Sequence, residues 1–409
     1  MENSPNALIQ LLLLSRDFIL TSDCYQDLLI KLDQRGIQTS TYRKHIPHPL
    51  KADLHSHTCH SDGLFNYKQI LWWAKLLGLE AIGITDHDNV SVELVQAIEE
   101  GLRIGCHAIP GLEYTIDQVS EVAIPGLEIG VHFFPIHRFS EFLSSSAGER
   151  FCSRFTPMRL AKTNQAMEAL ANLNRHFLAP LNFEPVSELM LNEYSGNCLP
   201  ICASTATHPI LKLILNSGDE KLMAKFPNTR ALWAFFHQNK WIPKMSSGTQ
   251  TLTDLIEMKK ELAGHGINFT LTLNHPEELI AKGNLYNDSG EPDAMRIAKV
   301  INSVVNFSPE LTLHFIERYT PRTTEVSSAA IDSALKNCNQ KLVAVASCDS
   351  HTITGDIDAL GHVTGWVEGE DFITGIGKIT KEFPQGNLRV PKDYYPTQQL
   401  LALMEKLSR

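Results

Sequence analysis

The sequence predicts an α/β protein in which parallel strands alternate with crossover helices. Short apolar runs that end in polar loops, such as Ala81–Ile84 and Leu127–His132, are separated by segments with helical spacing of apolar residues, such as Tyr67–Leu77. This alternation is typical of βαβ units. The chain has 409 residues, of which 43% are hydrophobic and 20% charged. It is therefore long enough to bury a large core and to include more than one structural unit.

Two interruptions of this alternation divide the chain. Residues 1–50 carry apolar residues at helical spacing on both sides of a polar break, which predicts a helical extension. The strand–helix rhythm is lost again in the middle of the chain. The predicted segments are an N-terminal helical extension (1–50), the first part of a barrel (51–137), an inserted and mainly helical subdomain (138–265), the second part of the barrel (266–390) and a C-terminal helix (391–409).

The charge of the chain argues against some classes of partner. The formal net charge is -10, and a general grip on duplex nucleic acid or on an anionic membrane depends on an excess of Lys and Arg. No run approaches the roughly 20 apolar residues of a membrane-spanning helix. Glu2 stands where a signal peptide would be basic, and eight scattered cysteines suit reduced thiols. We therefore expect a soluble, cytoplasmic protein.

Histidines and acidic residues recur after successive predicted strands. In a closed barrel of parallel strands the carboxyl ends meet on one face, where the active sites of such barrels lie. Imidazoles and carboxylates crowded together there would be costly to desolvate without a cation, and divalent metals accept such mixed ligands. The candidate metal ligands are His55, His57, Asp62, His87, Glu113, His132, His275, Asp349 and His351.

The spacing of these residues indicates hydrolysis. His55 and His57 lie two residues apart in extended chain, so both imidazoles can point to the same side and share one ion. A carboxylate such as Glu113 could bridge two ions that hold a hydroxide nucleophile at neutral pH. Glu317 ends a predicted strand and has two open roles: it could orient a metal ligand, or it could pair with Arg318 or Arg322.

Several of these residues lie in motifs that resemble those of the PHP family, the polymerase and histidinol phosphatase superfamily. Asp53–Gly63, which reads DLHSHTCHSDG, closely resembles the opening motif, and Ile84–Asp88 resembles the second. The later resemblances are Gly111-Leu112-Glu113, the strand that carries His132, Asn274-His275-Pro276 and Asp349-Ser350-His351. The resemblance spans residues 51–136 and 266–365.

The resemblance implies a distorted (β/α)7 TIM-like barrel that binds two or three divalent ions of manganese, iron or zinc. It implies catalytic roles for Glu113, Asp349 and His351. Members of the family hydrolyse phosphate esters, so the expected partner is a small phosphorylated substrate, including nucleotides and short oligonucleotides. The implied ligand sets are His55, His57, Glu113 and Asp349 for one ion; Glu113, His132 and His275 for a second; and Asp62, His87 and His351 for a third.

One departure from the family pattern concerns the substrate. Glu277 and Glu278 follow the His-Pro motif, where relatives that cleave nucleotides often carry an Arg. The chain between 151 and 265 has 12 Lys and Arg against 9 Asp and Glu, whereas the rest has 24 against 37. We therefore expect the insertion to act as a lid that supplies the phosphate clamp. The candidate residues for the clamp are Arg154, Arg159, Lys162 and Arg175.

Two other functions remain open from the sequence. Amidohydrolases cleave carbon–nitrogen bonds with similar barrels and metals, usually with a carboxylated Lys or a catalytic Asp at the last strand, and only Asp349 is available for that role. A non-catalytic PHP domain kept for assembly is the second alternative. Loss of ligands would mark such a domain, and none of the motif ligands is lost.

Overall fold

The computed structural model describes most of the chain. The described residues are 5–40, 52–116 without 59, 62 and 64, 124–157 without 125, 168, 171–177, 214, 217–226, 229–241, 250–319, 325–347, 349 and 397–409. Within them, seven strands form one sheet whose strand order follows the sequence from β1 to β7. The strands are β1 (Ala52–Asp53), β2 (Ala81–Ile84), β3 (His107–Ile116), β4 (Leu127–Phe134), β5 (Asn268–Leu273), β6 (Leu313–Tyr319) and β7 (Val343–Ala346).

The helices lie between these strands and at the two ends of the chain. Residues 171–177 are also helical. The helices with assigned bounds are α1 (Pro5–Thr21), α2 (Tyr25–Gln34), α3 (Tyr67–Leu77), α4 (Leu94–Ile104), α5 (Ile136–Leu143), α6 (Ser146–Ser153), α7 (Glu220–Lys225), α8 (Thr229–Gln238), α9 (Leu252–Ala263), α10 (Pro276–Lys282), α11 (Ala294–Val305), α12 (Glu325–Leu335) and α13 (Thr397–Ser408).

Local sequence signals account for the best-predicted elements. α3 and β2 have the predicted bounds, Tyr67–Leu77 and Ala81–Ile84. Asn66 caps α3, because its side chain accepts hydrogen bonds from the amides of the first turn and Gln69 completes the capping box. Gly78 ends the helix in the left-handed conformation with φ 85°, which costs glycine little.

The direction of β4 differs from the predicted barrel. β4 pairs antiparallel with both β3 and β5, whereas the other neighbouring strands pair in parallel. Only residues 117–126 separate β3 from β4, and a parallel crossover needs a dozen or more residues. The expectation of parallel strands throughout is therefore wrong at β4. The structure is a mixed α/β fold with a curled sheet of seven strands.

Pairing with β4 also lengthens β3. In the sequence the strand-like residues are Ala108-Ile109, which places Glu113 after the strand. In the structure β3 continues to Ile116, because its residues from Gly111 onward pair with β4, with Glu113 opposite Gly130. Glu113 thus projects from an ordered strand, which restricts the positions that its carboxylate can reach.

The curl of the sheet is visible in the core at the amino-terminal ends of the parallel strands. Ala52 of β1, Phe134 of β4 and Val345 of β7 belong to one buried cluster, so the first and last strands of the sheet approach each other. Leu400 and Met404 of α13 complete this cluster. The C-terminal helix therefore covers one end of the curled sheet, and the catalytic candidates lie toward the other end.

The remaining helices pack around the sheet. α1 and α2 contact each other, and Gln69 of α3 donates to the carbonyl of Ile19 of α1 at 3.2 Å. α5 to α9 lie between β4 and β5 in sequence. Phe139 of α5 stacks on Phe133 of β4, with ring centroids 4.2 Å apart. Thr156-Pro157 carry the cap-then-proline signal for a helix start, and the residues that follow, 158–167, lie outside the described part of the chain.

None of the helices in the described residues is long and apolar enough to cross a membrane.

Candidate metal centre

The first two candidate ligands lie in the loop after β1, which is fastened to β2. The amide of Thr85 donates to Ser56 O at 2.9 Å, and Ser56 Oγ donates to Gly83 O at 2.5 Å. Gly83 is required at this position, because a Cβ there would collide with the backbone of Leu54. These contacts hold His55 and His57, which are 1% and 0% exposed, inside the curled sheet.

Six of the nine predicted ligands converge there. Their nitrogen and oxygen atoms form three overlapping groups in which every ligand atom lies within 4.8 Å of the others. The groups are His55, Glu113 and His275; His55, His57 and Asp349; and His57, His87 and Glu113. Because each group shares a member with the next, the six side chains form one continuous cluster.

The distances within the cluster fit divalent cations. Two ligand atoms that are each about 2.1 Å from one ion lie about 3.0 to 3.4 Å apart at octahedral or tetrahedral angles. His55 Nε2 is 2.9 Å from His57 Nε2 and 3.3 Å from Glu113 Oε1. His57 Nε2 is 3.1 Å from Asp349 Oδ1, and His275 Nε2 is 3.2 Å from Glu113 Oε1. The mixed nitrogen and oxygen donors suit manganese, iron or zinc.

Glu113 is the hub of the cluster. Its carboxylate is fully buried, with Oε1 toward His55 and His275 and Oε2 2.9 Å from Nδ1 of His87. Burial alone would raise the pKa of Glu113, but the neighbouring imidazoles, above all those of His55 and His87, hold it well below its usual range. The ionised carboxylate therefore presents one oxygen to each side of the cluster, as a bridging ligand must.

The same carboxylates raise the pKa values of the neighbouring imidazoles. Burial would lower the pKa of His55, but the carboxylates of Glu113, Glu317 and Asp349 raise it well above its ordinary value. Burial likewise opposes protonation of His275, and Asp349 and Glu113 raise its pKa to about 9. Protons and divalent cations would therefore compete for the same nitrogen atoms.

Two of the ligands sit on strained backbone. His275 has φ 46° and Asp349 has φ 52°. Both values lie in the left-handed region that residues other than glycine seldom occupy. His275 lies between the end of β5 and the first turn of α10, and Asp349 follows β7. Strain of this kind persists where the surrounding structure imposes it, and it is common at functional sites.

Two buried carboxylates support the ligands from outside the three groups. Glu317 accepts a hydrogen bond from Nδ1 of His55 at 2.7 Å. Of the two roles left open by the sequence, it therefore has that of orienting a candidate metal ligand. Asp86 accepts from Ser61 Oγ at 2.6 Å, and Ser61 Oγ lies 3.2 Å from Nδ1 of His57. In the sequence, Asp86 belongs to the second motif. Its position two residues after β2 and next to His87 is the signal for its role.

His132 makes a backbone contact beside the cluster. Its Nε2 donates to the carbonyl of Leu54 at 2.8 Å, and burial lowers its pKa to about 4. Because β4 is antiparallel, its carboxyl end points away from the carboxyl ends of the parallel strands. His132 pairs with Gly111, two residues before Glu113 on β3. The structure does not place His132 in any of the three donor groups, and His55 stands beside Glu113 and His275 instead.

The other predicted site residues lie outside the cluster or outside the described residues. Asp62, Arg159, Lys162 and His351 belong to the latter class. Arg154 forms an ion pair with Glu261, and its guanidinium lies 4.9 Å from the centre of the Phe151 ring. Arg175 donates to Asn172 Oδ1 at 2.6 Å.

Comparison with known proteins identifies the PHP domain model over residues 53–234. No curated protein sequence matches the chain. One similar solved structure is a candidate metal-dependent phosphoesterase from Bifidobacterium adolescentis, with 15% identity, a TM-score of 0.44, and 81% of this chain and 95% of that chain covered. Another is an amidohydrolase from Chromobacterium violaceum with bound sulfate and no metal, with 15% identity, a TM-score of 0.46, and 76% and 90% covered.

Proposed function

Because this chain carries a PHP domain, we propose that it is a metal-dependent phosphoesterase. The observation that supports the proposal most is the position of Glu113, a fully buried carboxylate shared by two of the three donor groups. A carboxylate that faces imidazoles on both sides is suited to hold two cations close together, and paired cations are used in many phosphoryl-transfer enzymes.

Each side chain of the cluster has a defined task in this proposal. Two or three divalent ions of manganese, iron or zinc, when bound, would activate water and offset the charge that develops on a phosphoryl group. Glu113 would hold the shared position, with Asn274 donating to its Oε1 at 2.8 Å. Asp349 would complete the group of His55 and His57. We assign catalytic roles to Glu113, Asp349 and His351.

We also propose that residues 138–265 form an inserted subdomain that contacts the substrate. Arg154 and Arg175, together with Arg159 and Lys162, remain the candidates for a phosphate clamp. Arg154 pairs with Glu261, so it would have to exchange this partner for the phosphate. Replacing the four residues one at a time by Ala should raise KM for phosphorylated substrates. An unchanged KM for every substrate in all four variants would remove the clamp from the proposal.

The function is tested by assaying the purified protein with Mn²⁺ against p-nitrophenyl phosphate, bis-p-nitrophenyl phosphate and a panel of amides. We expect hydrolysis of at least one phosphate ester, and loss of at least 100-fold in kcat for His57→Ala and Glu113→Gln. Glu100→Gln is the matched control, because Glu100 is a buried carboxylate that contacts Trp72 and Arg103 instead of the cluster.

Two other outcomes of this assay would favour a carbon–nitrogen hydrolase or a non-catalytic domain. Hydrolysis of amides alone would favour carbon–nitrogen bond cleavage. Inactivity on both phosphate esters and on the amides, with metal bound in the expected ratio, would favour a non-catalytic domain.

A further inference from the structure

Glu317 joins three separate loops of the candidate metal centre. It projects from β6 and is 1% exposed. Its Oε1 accepts from Nδ1 of His55 at 2.7 Å and from Ser347 Oγ at 2.5 Å, and its Oε2 accepts from the backbone amide of His275 at 3.1 Å. These donors lie after β1, β7 and β5 respectively, and Glu317 itself is not a member of any of the three donor groups.

The contact with His55 controls which ring nitrogen faces the cluster. An ionised carboxylate can only accept hydrogen bonds, so Nδ1 of His55 must carry the proton. The neutral ring then presents the lone pair of Nε2, which lies 3.3 Å from Glu113 Oε1 and 3.5 Å from Asp349 Oδ1. Histidines that bind metals commonly donate their other nitrogen in this way, which sets their tautomer and orientation.

The other two contacts lie at or near two further candidate ligands, His275 and Asp349. Glu317 holds the amide of His275, whose φ of 46° needs such support. Ser347 precedes Asp349, the other ligand with positive φ, by two residues. One carboxylate therefore contacts the ring of His55, the backbone amide of His275 and the hydroxyl of Ser347, two residues before Asp349.

We propose that Glu317 is a positioning residue that sets the affinity of the centre for divalent cations. The inference rests on the proposed metal-dependent function and names a residue that determines it. Glu317 does so without contacting the ion, because its two oxygen atoms are already occupied by the three donors.

Glu317→Gln is the most informative variant. The amide keeps the shape of the side chain, but one of its ends becomes a donor. If the amide oxygen faces His55, its NH2 group meets the amide N–H of His275. If the amide is reversed, its NH2 group meets Nδ1 of His55 and favours the tautomer whose proton lies on Nε2, toward the cluster. Either arrangement removes a contact, so we expect 10- to 100-fold weaker binding of Co²⁺.

Co²⁺ binding is measured by visible absorption and by competition with a chelator, on folded protein with Tm recorded. Glu100→Gln is the control, since it removes the charge of a buried carboxylate on α4, away from the cluster, and should change Co²⁺ affinity less than twofold. Measuring the effect of Glu317→Gln on Co²⁺ binding in the wild type and in the His55→Ala protein separates a positioning role from a general effect on folding. If Glu317 acts through His55, its replacement should weaken Co²⁺ binding less in the His55→Ala protein than in the wild type.

The outcomes distinguish this inference from the proposed function. Failure of the wild type to bind Co²⁺ would overturn both. Wild-type binding combined with binding by Glu317→Gln within twofold would overturn the inference alone, and a loss that is fully additive to His55→Ala would overturn its action through His55. If Glu317→Gln does not fold, Ser347→Ala decides, because it removes one donor from Glu317 and leaves the charge in place. An affinity equal to that of the wild type would then count against the inference.

Discussion

The side-chain amide of Asn274 reaches Glu113 across a glycine. Its Nδ2 donates to Oε1 of Glu113 at 2.8 Å, and Gly130, which lies opposite Glu113 in the β3–β4 pairing, leaves room for the side chain to pass. A Cβ at Gly130 would lie 2.8 Å from Oδ1 of Asn274. The orientation of the central carboxylate therefore depends on a residue without a side chain.

Gly130→Ala and Asn274→Ala should both weaken Co²⁺ binding, because each disturbs the hydrogen bond between Asn274 and Glu113. A hydrogen bond to a charged group contributes about 1.5–3 kcal/mol, so we expect each variant to bind Co²⁺ about tenfold more weakly than the wild type. The double variant should lose little more than either single one, because both remove the same interaction. Chelator competition measures these affinities. Wild-type affinity in Gly130→Ala would show that Asn274 reaches Glu113 by another path.

His275→Ala and His132→Ala should have different effects. His275 belongs to a donor group, so its removal should lower Co²⁺ affinity or the number of ions bound. His132 bonds to the carbonyl of Leu54, so its removal should cost about 1–3 kcal/mol in the free energy of unfolding. Elemental analysis and urea unfolding test the pair. Loss of an ion from His132→Ala would restore His132 to the ligand set that the sequence predicted.

The raised pKa of His275 predicts how the stability of the ion-free protein depends on pH. Its folded pKa of about 9 lies above the ordinary value of 6.5. The resulting stabilisation is present in full below pH 6.5 and is lost as the pH rises through about 9. The Tm of the ion-free protein should therefore fall over this range, whereas Co²⁺ affinity should rise, by about tenfold per pH unit for each proton displaced.

The release of protons on Co²⁺ binding can be measured directly. Titration calorimetry in buffers of different ionisation enthalpy should show at least one proton released per cluster at pH 7.5. His275→Gln should release fewer protons than the wild type. Equal proton release by the two proteins would contradict the assignment of the raised pKa to His275.

Met404→Ala should destabilise the fold without changing the metal centre. Met404 of α13 is fully buried and belongs to the apolar cluster with Phe134 and Phe315, at the end of the sheet away from the ligands. Removing a buried Met side chain costs about 2–5 kcal/mol. We expect a lower urea midpoint with Co²⁺ affinity within twofold of the wild type. A large loss of affinity would show that the C-terminal helix is coupled to the cluster.

The sequence by itself determined the elements whose signals are local and the chemical character of the site. Gly78 marks the end of α3 in the sequence, because helix termination depends on neighbouring residues. His55, His57, His87, Glu113, His275 and Asp349 were recognised because each lies in a short motif, and the structure brings them together.

The tertiary structure decided the relationships that depend on distant parts of the chain. The antiparallel direction of β4, which carries His132, follows from strand pairing that local patterns do not encode. The contact of Glu317 with His55 joins residues 262 positions apart, and that of Asn274 with Glu113 joins residues 161 positions apart. The Glu317–His55 contact forms only when the sheet curls, because the curl brings β6 beside the loop after β1.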